Sequence, residues 1–188
     1  MIIIGITGTL GAGKGTVVEF LTRYYGFVHF SVRAFISREL EHRGIPVNRD
    51  TLTALANEMR AKNSPSYIIE ELFIEAAQQD KNCIIESIRT PGEIEALRSN
   101  PAFFLLAVDA DPRIRFNRVR KRNSETDKVS FTTFINNEQR EMHSNDPNKQ
   151  NLAECIRQAD YVIENNGSLE ELHEKTADFL KFIKHRNH

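Results

Sequence analysis

The segment from Gly8 to Thr16 constrains this chain more than any other part of its sequence. It reads Gly-Thr-Leu-Gly-Ala-Gly-Lys-Gly-Thr, follows the apolar run Ile2–Thr7 and precedes an amphipathic stretch that begins at Val17. Glycines permit positive φ and leave room for backbone N–H groups to converge on an anion. A helix that begins at the end of such a loop adds its dipole and its unpaired N–H donors. The pattern therefore predicts a strand, a phosphate-binding loop and a helix.

The side chains of this loop indicate that it binds a nucleoside triphosphate with Mg²⁺. Lys14 supplies a cation for the β- and γ-phosphates, and the Thr16 hydroxyl can bind the metal. A dinucleotide-binding turn does not fit, because Thr16 stands where the G-x-G-x-x-G frame requires glycine. The structural alternative is a glycine-rich turn with no ligand, which the flanking strand and helix patterns disfavour. The residues predicted to bind ATP here are Gly8, Leu10, Gly11, Ala12, Gly13, Lys14, Gly15 and Thr16.

Short apolar runs alternate with longer stretches of helical period along the rest of the chain. Runs that are apolar without alternation are typical of parallel strands covered on both faces. We therefore predict an α/β fold with a five-stranded parallel sheet and helices on both faces, formed by a single domain over residues 1–188. Ligands in such sheets bind at the carboxyl ends of the strands. The predicted strands are Ile2–Thr7, Phe27–Phe30, Cys83–Glu86, Phe103–Val108 and Tyr161–Ile163.

Composition excludes several classes of function. The formal net charge is -1, so no overall field favours nucleic acid or a membrane surface. Cys83 and Cys155 are far apart in the sequence and form no CxxC pattern, so we expect neither zinc nor a disulfide, as in a reducing cytoplasm. The apolar start, residues 1–6, is too short for a signal peptide or a membrane span. We expect a cytoplasmic protein with no membrane or nucleic-acid partner.

The end of the run Cys83–Glu86 carries a second pair of candidate residues. Glu86 can hold a water of the Mg²⁺ shell, and Arg89 presents a planar fork that suits phosphate. The alternative is an exposed Glu–Arg ion pair with a structural role only.

A third candidate is the arginine-rich helix predicted over 112–122. Asp111 precedes Pro112 as its N-cap, and no acidic residue follows within the helix. Mutual repulsion makes such a cluster unfavourable unless an anion lies near it. Arg118 and Arg122, four residues apart, share one face. The rival interpretation, nucleic-acid binding, is weak for a protein that is otherwise nearly neutral.

These segments resemble those of nucleoside monophosphate kinases. The GxxGxGKGT form is similar to the loop of adenylate kinase and its relatives, so Gly15 narrows the range of P-loop families that this chain resembles. The segment Glu86–Pro91 resembles their Asp-Gly-x-Pro-Arg-Thr sequence, whose arginine binds the acceptor phosphate, although here Glu replaces Asp and the proline follows Arg89. The arginine helix resembles a short lid, which implies a lid over about 113–142. By this resemblance the catalytic residues are Lys14, Arg118, Arg122 and Arg140.

The resemblance also implies an acceptor-binding insert over about 31–79. Its expected substrate contacts, together with Arg89, are Ser31, Arg33 and Arg38, with Arg49 and Arg60 as further candidates. Dephospho-CoA kinases look similar along much of the chain, yet typically carry Asp-x-Asp where this chain has residues 31–33. In those enzymes the turn matching 165–168 backs onto adenine, which places Asn166 among the ATP contacts. A plain strand-to-helix turn is the alternative there.

The resemblance implies an ATP- and Mg²⁺-dependent phosphotransferase that acts on a small nucleotide, a nucleoside or deoxynucleoside monophosphate. Dephospho-CoA kinase is the alternative enzyme. The chain is also similar to the P-loop domain attached to some deoxycytidylate deaminases. A non-catalytic ATP-binding sensor is the alternative from another class. The sequence determines neither the acceptor nor the oligomeric state.

Overall fold

The computed structural model describes residues 1–122 and 129–186, and within them the chain forms one parallel five-stranded sheet. The strand order is β2-β3-β1-β4-β5, so the first strand lies at the centre. This confirms the predicted α/β class and P-loop NTPase fold. The strands are β1 (Ile3–Thr7), β2 (Val28–Ser31), β3 (Cys83–Glu86), β4 (Phe103–Asp109) and β5 (Tyr161–Glu164).

Helices connect the strands, and the arginine-rich helix predicted over 112–122 has these bounds in the structure. The helix α8 was not predicted, because its six residues are too few to show a helical period. The helices are α1 (Lys14–Tyr25), α2 (Val32–His42), α3 (Arg49–Lys62), α4 (Tyr67–Ala77), α5 (Pro91–Arg98), α6 (Pro112–Arg122), α7 (Phe131–Met142), α8 (Leu152–Arg157) and α9 (Leu169–Arg186).

Alternate residues of each strand point to opposite faces, and each face has its own apolar core. Ile4 and Leu106 pack with α1 and α9 on one face. Ile3 and Leu105, one position earlier, pack with the helices α2, α3, α4 and α5 on the other. Because both faces are covered, the three central strands, β1, β3 and β4, are apolar along nearly all of their length. The polar ends of β1, β3 and β4 are left to form the site.

The helices α6 and α7 pack against each other near the carboxyl end of β4 and near the phosphate loop. Phe116 of α6 contacts Phe131 and Phe134 of α7, with ring centroids 5.2 and 5.6 Å apart. The predicted lid spans these helices, but its residues 123–128 lie outside the part of the chain that the structure describes. The predicted cap is confirmed: Asp111 Oδ1 accepts a hydrogen bond of 2.8 Å from the Arg113 N–H.

Across residues 1–122 and 129–186, no helix combines the length and apolarity that a bilayer crossing requires. Cys83 on β3 and Cys155 on α8 are buried thiols. Burial raises the pKa of Cys83 to about 11, so this thiol stays protonated and unreactive at neutral pH.

Candidate functional site

The loop between β1 and α1 has the backbone geometry of a phosphate cradle. Gly8, Gly11 and Gly13 have φ values of 130°, 81° and 108°, which side chains disfavour. Neighbouring backbone also excludes side chains, since a Cβ on Gly8 would lie 1.9 Å from the Val108 carbonyl oxygen. Gly15 differs, because a Cβ there would meet nothing within 4 Å. The glycine after the lysine is therefore not required by packing.

Lys14, the first residue of α1, folds over this loop. Its Nζ donates hydrogen bonds of 2.8 Å to each of the carbonyl oxygens of Gly8 and Thr9. Burial, followed by the positive charge of Arg89, lowers the pKa of Lys14 from 10.5 to about 7, while Glu86 acts in the opposite direction. An anion beside Lys14 would favour the charged, protonated form of its side chain and offset the repulsion from Arg89.

A cavity of about 310 Å³ opens next to Lys14, and cations from several elements line it. Arg33 enters from α2, Arg89 from the loop after β3, and Arg122 from the end of α6. The wall formed by α2 and α3 combines apolar with polar side chains: Val32, Ile36, Leu52 and Ala56, and Arg33, Arg49, Thr53 and Arg60. Three arginines predicted from separate sequence segments therefore meet at one cavity with the phosphate loop.

Glu86 lies at the carboxyl end of β3 and borders the same cavity. Its Oε2 is 3.2 Å from Nε2 of His29, a residue of β2 whose position beside Glu86 the sequence did not indicate. Burial alone would raise the pKa of Glu86, but the hydrogen bond with His29 and the charges of Lys14 and Arg89 lower it. The carboxylate is therefore ionised at neutral pH.

The loop after Glu86 is tied to β1. Ser87 has a φ of 75°, an uncommon value for a residue other than glycine. Its N–H and that of Ile88 both donate to the Ile6 carbonyl oxygen, at 3.0 and 3.2 Å. Glycine stands at this place in the kinase segment that Glu86–Pro91 resembles, and glycine adopts such a positive φ without strain.

Arg89 is held by two residues that the sequence did not single out. Its Nη1 donates to Oε2 of Glu141 at 3.1 Å and to Oε1 of Gln150 at 3.0 Å. The other oxygen of Glu141 accepts a bond of 2.6 Å from Arg49 Nη2. Glu141 on α7 thus bridges an arginine of α3 and the arginine after β3. It was missed because the two pairs span 52 and 92 residues of sequence.

The four predicted catalytic residues do not occupy equivalent places. Arg122 and Lys14 border the cavity. Arg118 instead donates from Nη1 to the carbonyl oxygen of Asn165 at 2.9 Å. Arg140 is exposed and hydrogen-bonded to Asn137, and it lines an adjoining pocket that shares Glu141 and Gln150 with the cavity. The structure thus brings two of the four together at the cavity, and their catalytic roles stay predictions.

Arg115 of the same arginine helix is buried and structural. Its Nε donates to the Ala110 carbonyl oxygen at 2.7 Å, and its Nη2 to Oε1 of Glu138 at 2.9 Å. Nη1 reaches the carbonyl oxygen of Leu10 at 3.3 Å. One guanidinium therefore joins α6, α7 and the phosphate loop, which links the predicted lid helices to that loop.

The turn after β5 contacts the phosphate loop through Asn165. Its Nδ2 donates to the Ala12 carbonyl oxygen at 2.7 Å, and the side chain is buried. Asn166, predicted as an ATP contact, is exposed, and its Oδ1 accepts a bond of 2.7 Å from the Asp111 N–H. The side chain adjoining the cradle thus belongs to the preceding residue.

Not all of the predicted acceptor residues border the cavity. Ser31 caps α2, its Oγ accepting a bond of 3.2 Å from the Ala34 N–H. Arg33 borders the cavity. Arg38 does not: its side chain is 61% exposed and lies 3.9 Å from Glu75 on the outer surface. The structure therefore does not bring Arg38 to the cavity.

The sheet, the glycine-rich loop and its lysine together define a protein with the fold of P-loop kinases. A family model described as an AAA domain matches residues 4–146, and the chain belongs to that family. It is 29% identical over 184 residues to a UPF0200 protein of Methanothermobacter thermautotrophicus, covering 96% of this chain and 90% of the relative.

Solved structures share the fold across nearly the whole chain. TT1252 from Thermus thermophilus is 23% identical with a TM-score of 0.65, covering 95% of each chain. A shikimate kinase from Bacteroides thetaiotaomicron is 16% identical with a TM-score of 0.56, covering 96% of this chain and 98% of its own. A dephospho-CoA kinase from Campylobacter jejuni is 14% identical with a TM-score of 0.53, covering 96% of each chain. At these identities the likeness concerns the fold alone.

Proposed function

We propose that this chain is an ATP-dependent kinase that phosphorylates a nucleoside or deoxynucleoside monophosphate. One observation carries the proposal: Lys14 at the phosphate loop borders the same cavity as Arg33, Arg89 and Arg122. These four are among six cations that line a cavity of about 310 Å³, the other two being Arg49 and Arg60, which pair with Glu141 and Glu93. So many cations around one cavity suit a site for two phosphorylated ligands. A single bound anion would require fewer.

The two ligands would enter from opposite sides. The β- and γ-phosphates of ATP would lie on the N–H groups of the loop, with Lys14 turned toward them from the carbonyl oxygens it now contacts. Arg89 and Arg33 would bind the phosphate of the acceptor. Arg89 now donates hydrogen bonds to Glu141 and Gln150. When the acceptor binds, phosphate oxygens would replace these two residues as the partners of Arg89.

In the proposed step, an oxygen of the acceptor phosphate forms a bond to the γ-phosphorus of ATP. The bond from that phosphorus to the bridging oxygen breaks, and ADP leaves with the electron pair. The attacking oxygen is already ionised, so no general base is required. The residues position the two phosphates and neutralise charge on the transferred group. Arg122 at the end of α6 would supply part of this neutralisation.

Mg²⁺ fits the oxygen donors at this site. Thr16 offers a hydroxyl and Glu86 an ionised carboxylate, the hard ligands that Mg²⁺ prefers. These two residues would hold the ion, directly or through water. Bound Mg²⁺ supplies neutralisation of charge on the β- and γ-phosphate oxygens.

A second candidate is a kinase with a hydroxyl acceptor, of which dephospho-CoA kinase is the example. Such a reaction requires a base near the cavity. The ionised Glu86 with His29 beside it supports this candidate. Against it, the Asp-x-Asp typical of dephospho-CoA kinases is absent, since Ser31 and Arg33 occupy those places.

The test is ADP formation from Mg·ATP in the presence of a panel of nucleoside monophosphates and dephospho-CoA. We expect turnover that depends on a monophosphate and is reduced at least about hundredfold by Lys14→Met. Lys181→Met, which removes an exposed lysine from α9, is the matched control and should retain activity. Turnover with dephospho-CoA alone would favour the second candidate. ATP binding without acceptor-dependent turnover would indicate a sensor and refute the kinase.

A further inference from the structure

Glu141 on α7 places its carboxylate between two arginines that border the cavity. Its Oε1 accepts hydrogen bonds from Nε and Nη2 of Arg49, at 3.1 and 2.6 Å. Its Oε2 accepts a hydrogen bond from Nη1 of Arg89, at 3.1 Å. Each carboxylate oxygen therefore faces a different guanidinium, one from α3 and the other from the loop after β3.

These ion pairs lie at the surface of the cavity and not in the core. The side chains of Arg49, Arg89 and Glu141 are 28%, 26% and 14% exposed. In the pair of Arg60 and Glu93, by contrast, the side chains are 1% and 0% exposed. Because they are partly open, Arg49 and Arg89 can exchange a carboxylate for a ligand anion without leaving a buried charge unpaired.

The adjoining pocket offers the carboxylate of Glu141 another position. Glu141 lines both this pocket and the cavity. Arg140 and Lys149 bring positive charge to the adjoining pocket, whose other acidic residue is Asp50. The side chain of Lys149 is 61% exposed. A carboxylate that turns away from the cavity therefore stays close to cations and to water.

The two arginines carry more charge than Glu141 neutralises. Their two positive charges face the single negative charge of the carboxylate. Guanidinium groups suit phosphate well, since each can donate two parallel hydrogen bonds to its oxygens. A phosphate monoester carries close to two negative charges at neutral pH. A phosphate therefore matches Arg49 and Arg89 better than the carboxylate does.

We propose that Glu141 competes with the acceptor phosphate: its carboxylate occupies Arg49 and Arg89 in the free protein, and a phosphate monoester displaces it. This inference rests on the proposed function, which assigns Arg89 to the acceptor phosphate, and it adds Arg49 and Glu141 to that site. After transfer, the same phosphorus carries one negative charge instead of two, because one of its oxygens then bridges to the transferred group. Glu141 therefore competes more strongly with the product than with the substrate, which favours product release.

The first test is calorimetric titration of methyl phosphate at about pH 8, where this monoester is a dianion. Glu141→Gln keeps the size of the side chain and removes its charge. We expect this variant to bind methyl phosphate at least about tenfold more tightly, because no charged competitor has to be displaced from two cationic donors. Glu75→Gln, which changes an exposed glutamate of α4, is the matched control and should bind like the unmodified protein.

A second comparison isolates the two arginines, because the phosphate loop can also bind methyl phosphate. It uses the double variant Arg49→Gln/Arg89→Gln, with and without Glu141→Gln. When both arginines are absent, removal of the Glu141 charge should change the affinity for methyl phosphate by less than about threefold.

Glu141→Gln removes the charged partner of two arginines, so its fold has to be verified by circular dichroism and urea titration. If this variant does not fold, Glu141→Asp provides the test. The aspartate keeps the charge, but its side chain is one methylene shorter and loses its reach to one of the arginines. Glu141→Asp should bind methyl phosphate at least about threefold more tightly than the unmodified protein.

A purely structural role of Glu141 predicts the opposite sign. Unchanged or weaker binding of methyl phosphate by the folded variant would overturn the inference, as would a gain of equal size in the absence of both arginines. For a nucleoside monophosphate that is turned over, KM should fall at least about fivefold in Glu141→Gln, and an unchanged or higher KM would contradict the proposal. Absence of turnover with every monophosphate would overturn the proposed function, whereas the methyl phosphate titrations would still decide the role of Glu141.

Discussion

The lowered pKa of Lys14 predicts that nucleotide binding takes up a proton. With a pKa of about 7, only about one-tenth of the Lys14 side chains carry a proton near pH 8. A triphosphate placed against Nζ favours the ammonium and raises this pKa. Binding of Mg·ATP near pH 8 should therefore take up about 0.9 proton per site, and near pH 6 only about 0.1. Above about pH 7, affinity should weaken by up to about tenfold per pH unit.

The assay is isothermal titration calorimetry in buffers of different ionisation enthalpy, which separates proton uptake from the intrinsic heat. Lys14→Met serves as the test variant, and its remaining uptake reports any protons that belong to the nucleotide. Lys181→Met should behave like the unmodified protein, because that exposed lysine lies on α9. The same uptake at both pH values, or unchanged uptake in Lys14→Met, would refute the reasoning.

The same pKa gives a stability measurement that needs no nucleotide. Between about pH 7 and 10.5 the unfolded chain keeps a proton on Lys14 that the folded chain has lost. Because the unfolded state binds more protons there, the free energy of unfolding contributed by this residue rises with pH. Urea titrations across this window should show a smaller rise for Lys14→Met than for the unmodified protein.

Three further predictions concern other parts of the site. Gly8→Ala should lower the free energy of unfolding by roughly 3 kcal/mol or more, because Gly8 has a positive φ and the added methyl group would collide with the backbone of β4. Gly15→Ala should raise the free energy of unfolding by about 0.5–1 kcal/mol, because Gly15 lies in a helix with free space around it. Equal shifts of the two variants in urea titrations would contradict this. Ser87→Gly should raise it by about 1 kcal/mol by relieving a positive φ, and a decrease would show that the serine side chain stabilises the loop. Arg122→Ala should lower kcat by roughly 10²–10³-fold in the ADP-release assay, whereas Arg113→Ala, outside the cavity lining, should not.

Local sequence was enough to predict the sheet and the phosphate loop. The three central strands, β1, β3 and β4, are buried on both faces, so their apolar runs appear in the sequence without alternation. All five predicted strands lie within about two residues of the observed ones. The loop's conformation depends on glycines and a following helix that are adjacent in the chain. Gly8, Gly11 and Gly13 could be identified because positive φ restricts the residue type at the position itself.

Tertiary structure decided which of the similar charged residues border the cavity. The arginines of α6 look alike in sequence, yet Arg115 is buried against Glu138 while Arg122 borders the cavity. Helix position alone does not distinguish them, because the partner lies on another helix.

The same reason explains the side-chain pairs that the sequence did not reveal. His29 meets Glu86, and Arg60 meets Glu93, only because parallel strands and stacked helices place distant segments side by side. Asn165 contacts the phosphate loop and Asn166 does not, because the end of β5 directs the side chain of Asn165 toward the loop. Spacing along the chain records local geometry, whereas a contact across the fold depends on packing of the whole domain.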